Sequence, residues 1–152
     1  MGRLSPILLV VALALVGSGC GADTKAANDY VDAVNKAQTG FAAKFDSLSS
    51  RITSTSTAAQ DRQTLDGFKQ AIDKVVTDFR AVKAPDKVKT LHGRLIAEIS
   101  AYGREIDKAK KAFSNDDPQA IVKAQADLVS AVTRVQSQIN ATIADINKKL
   151  RE

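Results

Sequence analysis

The sequence predicts an all-α fold, an antiparallel up-down-up-down four-helix bundle that follows an N-terminal export segment. Three observations predict it. Apolar residues recur every three or four positions through four long stretches, the period of one helix face. Only three prolines, Pro6, Pro85 and Pro118, punctuate the 152 residues, too few for strands joined by closely spaced turns. The composition is rich in Ala, with Lys, Gln and Leu, all good helix formers. The reading divides the chain into an export signal (1–19), a modified Cys with a short tether (20–23) and a helical domain (24–152).

The first element is the export signal. Met1-Gly2-Arg3 supplies a positive start, and an apolar run follows through Val16, interrupted only by Ser5 and Pro6. That run suits a signal h-region and is too short to span a bilayer comfortably as a helix. Small residues follow, Gly17-Ser18-Gly19, and then Cys20, the only cysteine. With one Cys in an exported chain no internal disulfide is available, so the thiol has another role. Ser18, Gly19 and Cys20 resemble the end of the lipobox of the bacterial lipoprotein precursor family; Gly17 departs from the aliphatic residue that family carries there. The resemblance covers about twenty residues and does not reach the helical domain. It implies cleavage between Gly19 and Cys20 and a diacylglyceryl group, further acylated, on the Cys20 thiol. It also implies an extracytoplasmic, membrane-anchored location.

The first helix is expected over 24–52. Tyr30, Val34, Ala37, Phe41, Phe45, Leu48 and Ile52 are spaced three or four apart along one face. The polar run Thr53-Ser54-Thr55-Ser56 reads as a connection. Thr57 and Gln60 have the spacing of a capping box for a second helix, whose face is Leu65, Phe68, Ile72, Val75, Phe79 and Val82. It is expected to end at Ala84, because Pro85 disfavours helical geometry in the residue before it. Pro85 then suits the first turn of a third helix, with Val88, Leu91, Leu95, Ile99, Tyr102, Ile106, Ala109 and Phe113 along its stripe. Ser114 to Asp117 break it, and Asp117 with Pro118 reads as the cap and first position of a fourth helix. Ile121, Leu128, Val132, Val135, Ile139, Ile143, Ile146 and Leu150 form the fourth face, broken once by Gln125. Gly40, Gly67, Gly93 and Gly103 are read first as tolerated at the surface, with close helix approach or a bend as the alternative. A three-helix domain with the first helix extended or detached is the alternative.

Each stripe is one-sided, so each helix needs the others to bury it. With lipid at Cys20, the start of the first helix, the connection around Pro85 and the C-terminus are expected at one membrane-near end. Lys83, Lys87, Lys89, Arg94, Lys148 and Lys149 are the candidate membrane-surface contacts there, and the opposite end is expected to be neutral to acidic. The same cations also suit the negative ends of helix dipoles.

The formal net charge is +5, a mild excess without the concentrated basic stripe of a nucleic-acid binder. The single histidine, His92, has no second His at zinc-ligand spacing and is expected on the flank of a helix, so neither a metal nor a catalytic role is assigned to it. Glu98 and Glu105 share a helix face but lack the Glu-x-x-His pattern of carboxylate-bridged metal bundles. No phosphate-binding glycine loop and no EF-hand spacing occur. The expected function is therefore non-enzymatic and needs no cofactor beyond the covalent lipid. It is an interaction module of the cell envelope, whose partners are membrane lipid and an envelope protein. The alternative is a carrier of an apolar ligand, which demands an interhelical cavity on the order of several hundred Å³; an envelope enzyme comes last.

Overall fold

Four helices account for nearly all of the described backbone. The computed structural model describes residues 22–51, 57–114 and 117–152. In chain order the elements are α1 (Ala22–Ser49), α2 (Ala58–Ala81), a 3-10 turn (Asp86–Val88), α3 (Lys89–Ala112) and α4 (Pro118–Arg151). Among the described residues there is no strand.

The helix starts follow the chemistry of their caps. Thr57 accepts a hydrogen bond from Gln60 N–H at 3.2 Å, and the Gln60 side chain accepts one from Thr57 N–H at 2.8 Å, a complete capping box. Asp117 accepts from Gln119 N–H at 2.9 Å, with Pro118 at the first helical position. The α2–α3 connection differs from expectation. Helix α2 stops at Ala81, not Ala84, and Val82 is already extended. Pro85 begins no α-helix: its ψ of 147° is extended, a 3-10 turn follows, and α3 starts at Lys89. The residue before Pro85 is pushed out of helical geometry, and here that effect reaches back two residues further. Of the expected first helix, Ile52 lies outside the described residues.

Consecutive helices pack on one another, and the contacts between α2 and α3 and between α3 and α4 run in opposed residue order. Leu48, near the end of α1, lies against Gly67 in the first half of α2. Between α2 and α3, Arg62 donates to the Phe113 carbonyl at 2.9 Å, Asp66 pairs with Lys110, and Ile72 sits against Gly103. Between α3 and α4, Lys87 donates to the Leu150 carbonyl at 3.0 Å, and Thr142 donates to Glu98 at 3.0 Å. Helices α1 and α4 are not among the extensively packed pairs. The core runs through Tyr30, Val31 and Val34 of α1, Phe68, Ile72 and Phe79 of α2, Leu95, Ile99 and Ile106 of α3, and Val135 to Leu150 of α4.

Two glycines correct the surface-tolerance expectation. A Cβ at Gly67 would meet Leu48 Cδ2 at 2.7 Å, and one at Gly103 would meet Ile72 Cγ2 at 3.3 Å, so both allow close helix approach. Gly40 and Gly93 face open space, as expected.

Candidate functional site

Near one end of the molecule a single side chain joins the end of α2 and the start of α3 to Tyr30, eight residues into α1. His92, in the first turn of α3, is only 6 % exposed. Its Nε2 lies 3.0 Å from the carbonyl oxygen of Phe79 in the last turn of α2, and its Nδ1 lies 3.2 Å from the hydroxyl of Tyr30 in α1. A carbonyl only accepts, so Nε2 carries the proton, and Nδ1 accepts from Tyr30. The ring stacks on Phe79 at 6.1 Å and meets Tyr30 edge-on at 5.5 Å. The Phe79 carbonyl also accepts from Val82 N–H at 3.0 Å, so His92 helps satisfy the exposed end of the α2 ladder. Burial lowers the His92 pKa, opposed in part by the bond to Phe79, and burial pushes the Tyr30 hydroxyl up to about 12. Both groups are neutral links, with no charge left in the core.

His92 is therefore not the flank residue expected from sequence. The signal was its spacing. It stands four residues after Val88, three before Leu95 and seven before Ile99, all buried, so it occupies the stripe that Leu91 was expected to fill. Leu91 is only partly buried.

The end of α4 arrives through the Lys87–Leu150 bond. Lys149 pairs with Glu152 at 2.6 Å, and Lys149, Lys148 and Lys87 together hold the Glu152 carboxyl below its ordinary range, the Lys149 hydrogen bond contributing most. Lys87, Lys148 and Lys149 thus converge around the C-terminus. Lys83 and Lys89 are exposed and make no ion pair among the described residues. Arg94 stands a turn further along α3 and is held by Glu98 at 2.9 Å, so it does not join the cluster. Gly19 and Cys20, the expected cleavage and lipidation residues, lie outside the described residues. The opposite end is less one-sided than expected. Its connections are polar, but Arg51 and Lys111 are exposed there as well.

A second feature is chemical rather than electrostatic. Between α1 and α4 an apolar crevice of about 90 Å³ opens, reaching down to Phe79, Leu95 and Ile139 in the core. Phe41 and Val75 wall it from α1 and α2, Tyr102 from α3, and Val132 and Val135 from α4; Gln38, Asp46 and Gln136 are its polar residues besides Tyr102. It is smaller than the pocket demanded of a carrier for a drug-sized ligand. On the outer side of α1, an open trough against α2 is floored by Ala33, Ala37, Gly40 and Ala71 and edged by Lys36, Lys44 and Lys74.

Among the described residues no group of three His, Cys, Asp or Glu is placed to hold a metal ion, and no helix is long and apolar enough to cross a membrane. No family model, curated protein or solved structure matches this chain.

Proposed function

We propose that this chain is a lipid-anchored, extracytoplasmic helical module of the cell envelope, which stands end-on at the membrane and works by interaction rather than by catalysis. The observation that carries the reading is the meeting of the N-terminal third of α1, the α2–α3 connection and the α4 end toward one pole, with Lys83, Lys87, Lys89, Lys148 and Lys149 exposed there. An acylated Cys20 lies only two residues before the start of α1, so the lipid holds that pole at the bilayer. Two acyl chains give stable anchoring where one gives marginal binding. Each exposed cation near an anionic surface adds up to about 1 kcal/mol. Partners are then membrane lipid and an envelope protein that meets the sides of the bundle.

Mass spectrometry of the membrane fraction tests the anchor. The expected species begins at Cys20 and carries a diacylglyceryl mass, and a Cys20→Ala chain is released. Recovery of unmodified Cys20 in membrane-bound protein defeats the reading. The basic pole has its own test on anionic vesicles with the Cys20→Ala chain. Binding is expected to weaken as salt shortens the Debye length from about 10 Å at 0.1 M to about 3 Å at 1 M. Replacing Lys87, Lys148 and Lys149 by Gln is expected to remove most of that salt dependence.

A further inference from the structure

We infer that the crevice between α1 and α4 binds the hydrocarbon chain of a neutral acyl ester, whose carbonyl accepts a hydrogen bond from the Tyr102 hydroxyl. Four observations converge on that class of ligand. The walls come from all four helices and are almost wholly apolar. Tyr102 lines the same space, and among the described residues its hydroxyl has no hydrogen-bond partner. Burial raises the pKa of that hydroxyl, so it is a proton donor throughout the physiological range. Tyr102 is half-buried and its hydroxyl reaches solvent at the mouth of the crevice, where a ligand carbonyl can replace water as its acceptor.

Charge narrows the class further. Among the described lining residues there is one carboxylate, Asp46, and no cation. A fatty acid anion would meet Asp46 without a counter-charge, whereas an ester presents a carbonyl and no charge.

Size selects a thin chain over a protein element. The space of about 90 Å³ is less than the roughly 150 Å³ of a dry cavity that takes up benzene. A helix with side chains is about 10–12 Å across and does not enter. An alkyl chain enters part of its length, leaving the rest at the mouth beside Gln38 and Gln136. This site does not rest on the membrane-anchoring reading, because nothing in its walls depends on Cys20.

A photoactivatable long-chain fatty acid methyl ester tests the site on the full chain, both wild type and Cys20→Ala, in neutral phosphatidylcholine vesicles. After illumination, adducts are expected on peptides holding Phe41, Tyr102 and Val132 to Val135 in both chains. Ala42→Phe places a ring in the crevice and is expected to cut those adducts at least about ten-fold while helicity and melting temperature hold. Tyr102→Phe keeps the shape and removes only the donor. It is expected to weaken the ester by roughly two- to ten-fold and leave a photoactivatable alkane of the same length unchanged. The corresponding free acid at neutral pH is expected to label less than the ester. Adducts confined to residues 1–21, adducts that survive in folded Ala42→Phe, or displacement of the ester by an amphipathic helical peptide would each overturn the assignment. An equal loss of ester and alkane in Tyr102→Phe overturns the hydrogen bond.

Discussion

At the residue scale the His92 link has a measurable consequence. His92 is neutral in the fold and its pKa is lowered from 6.5. The unfolded chain therefore binds more protons than the folded one below about pH 6.5, and stability rises with pH in that window. Stability is fully present above about 6.5 and declines as pH falls toward the lowered folded value. As the only histidine, His92 dominates this range. Melting temperatures recorded from pH 5 to pH 8 are expected to show the slope, and His92→Phe is expected to flatten it. Tyr30→Phe leaves Nδ1 without its donor and is expected to cost about 1 kcal/mol in denaturant unfolding. None of this was legible in residue type alone, since an isolated His carries no signature. It was legible in register, where Val88, His92, Leu95 and Ile99 make one unbroken buried row. The glycines divide in the same way. Gly93→Ala adds a methyl to open space within a helix and is expected to raise stability by roughly 0.5–1 kcal/mol. Gly67→Ala forces Leu48 aside and is expected to gain less than Gly93→Ala or to lose stability. Sequence offered no means to separate them, because what decides is the neighbouring helix.

At the scale of elements, local chemistry set the starts of α2 and α4. Thr57→Ala removes one half of the capping box and is expected to cost about 1 kcal/mol, read from the denaturation midpoint at unchanged slope. Asp117 and Pro118 begin α4 as their residue types dictate. The α2–α3 connection was less legible. Proline forbids helix in the residue before it but does not say how far the break spreads. The structure spreads it from Val82 to Val88, and the extra length brings His92 beneath the end of α2. The stripe of α4 runs the length of the helix with one break at Gln125, yet its cover is uneven. Ile143 and Ile146 are wholly buried, while Ile121 and Leu128 are only partly buried; off the stripe, Val122 is 65 % exposed and Val129 46 %. Ile143→Ala is therefore expected to cost about 2–5 kcal/mol and Val122→Ser to stay within about 0.5 kcal/mol. Periodicity told which face turns inward, not whether another helix reaches it.

At the scale of the molecule, the all-α bundle followed from four one-sided stripes and sparse breakers, because no single stripe is stable alone in water. The gathering of helix termini followed from short connections. The charge asymmetry was read too strongly: counting residues in the connections omitted Arg51 and Lys111, which the helix ends bring to the far pole. The crevice was not legible at all. It arises because α1 and α4, the first and last helices, lack the close packing that each consecutive pair enjoys. Sequence adjacency guarantees neighbours along the chain but leaves the closing seam to side-chain fit.

The uneven cover of α4 bears on how the molecule comes apart. From Pro118 to Ser130 no described side chain of that helix is fully buried, whereas Ala131 to Leu150 supply seven buried residues. Amide protons in the first stretch should exchange with deuterium through small, frequent openings, and those near Ile143 only through global unfolding. Fraying then starts at the free tip and works inward. The outermost turns at that tip are shed first, and the knot of histidine, tyrosine and carbonyl at the other pole lets go last.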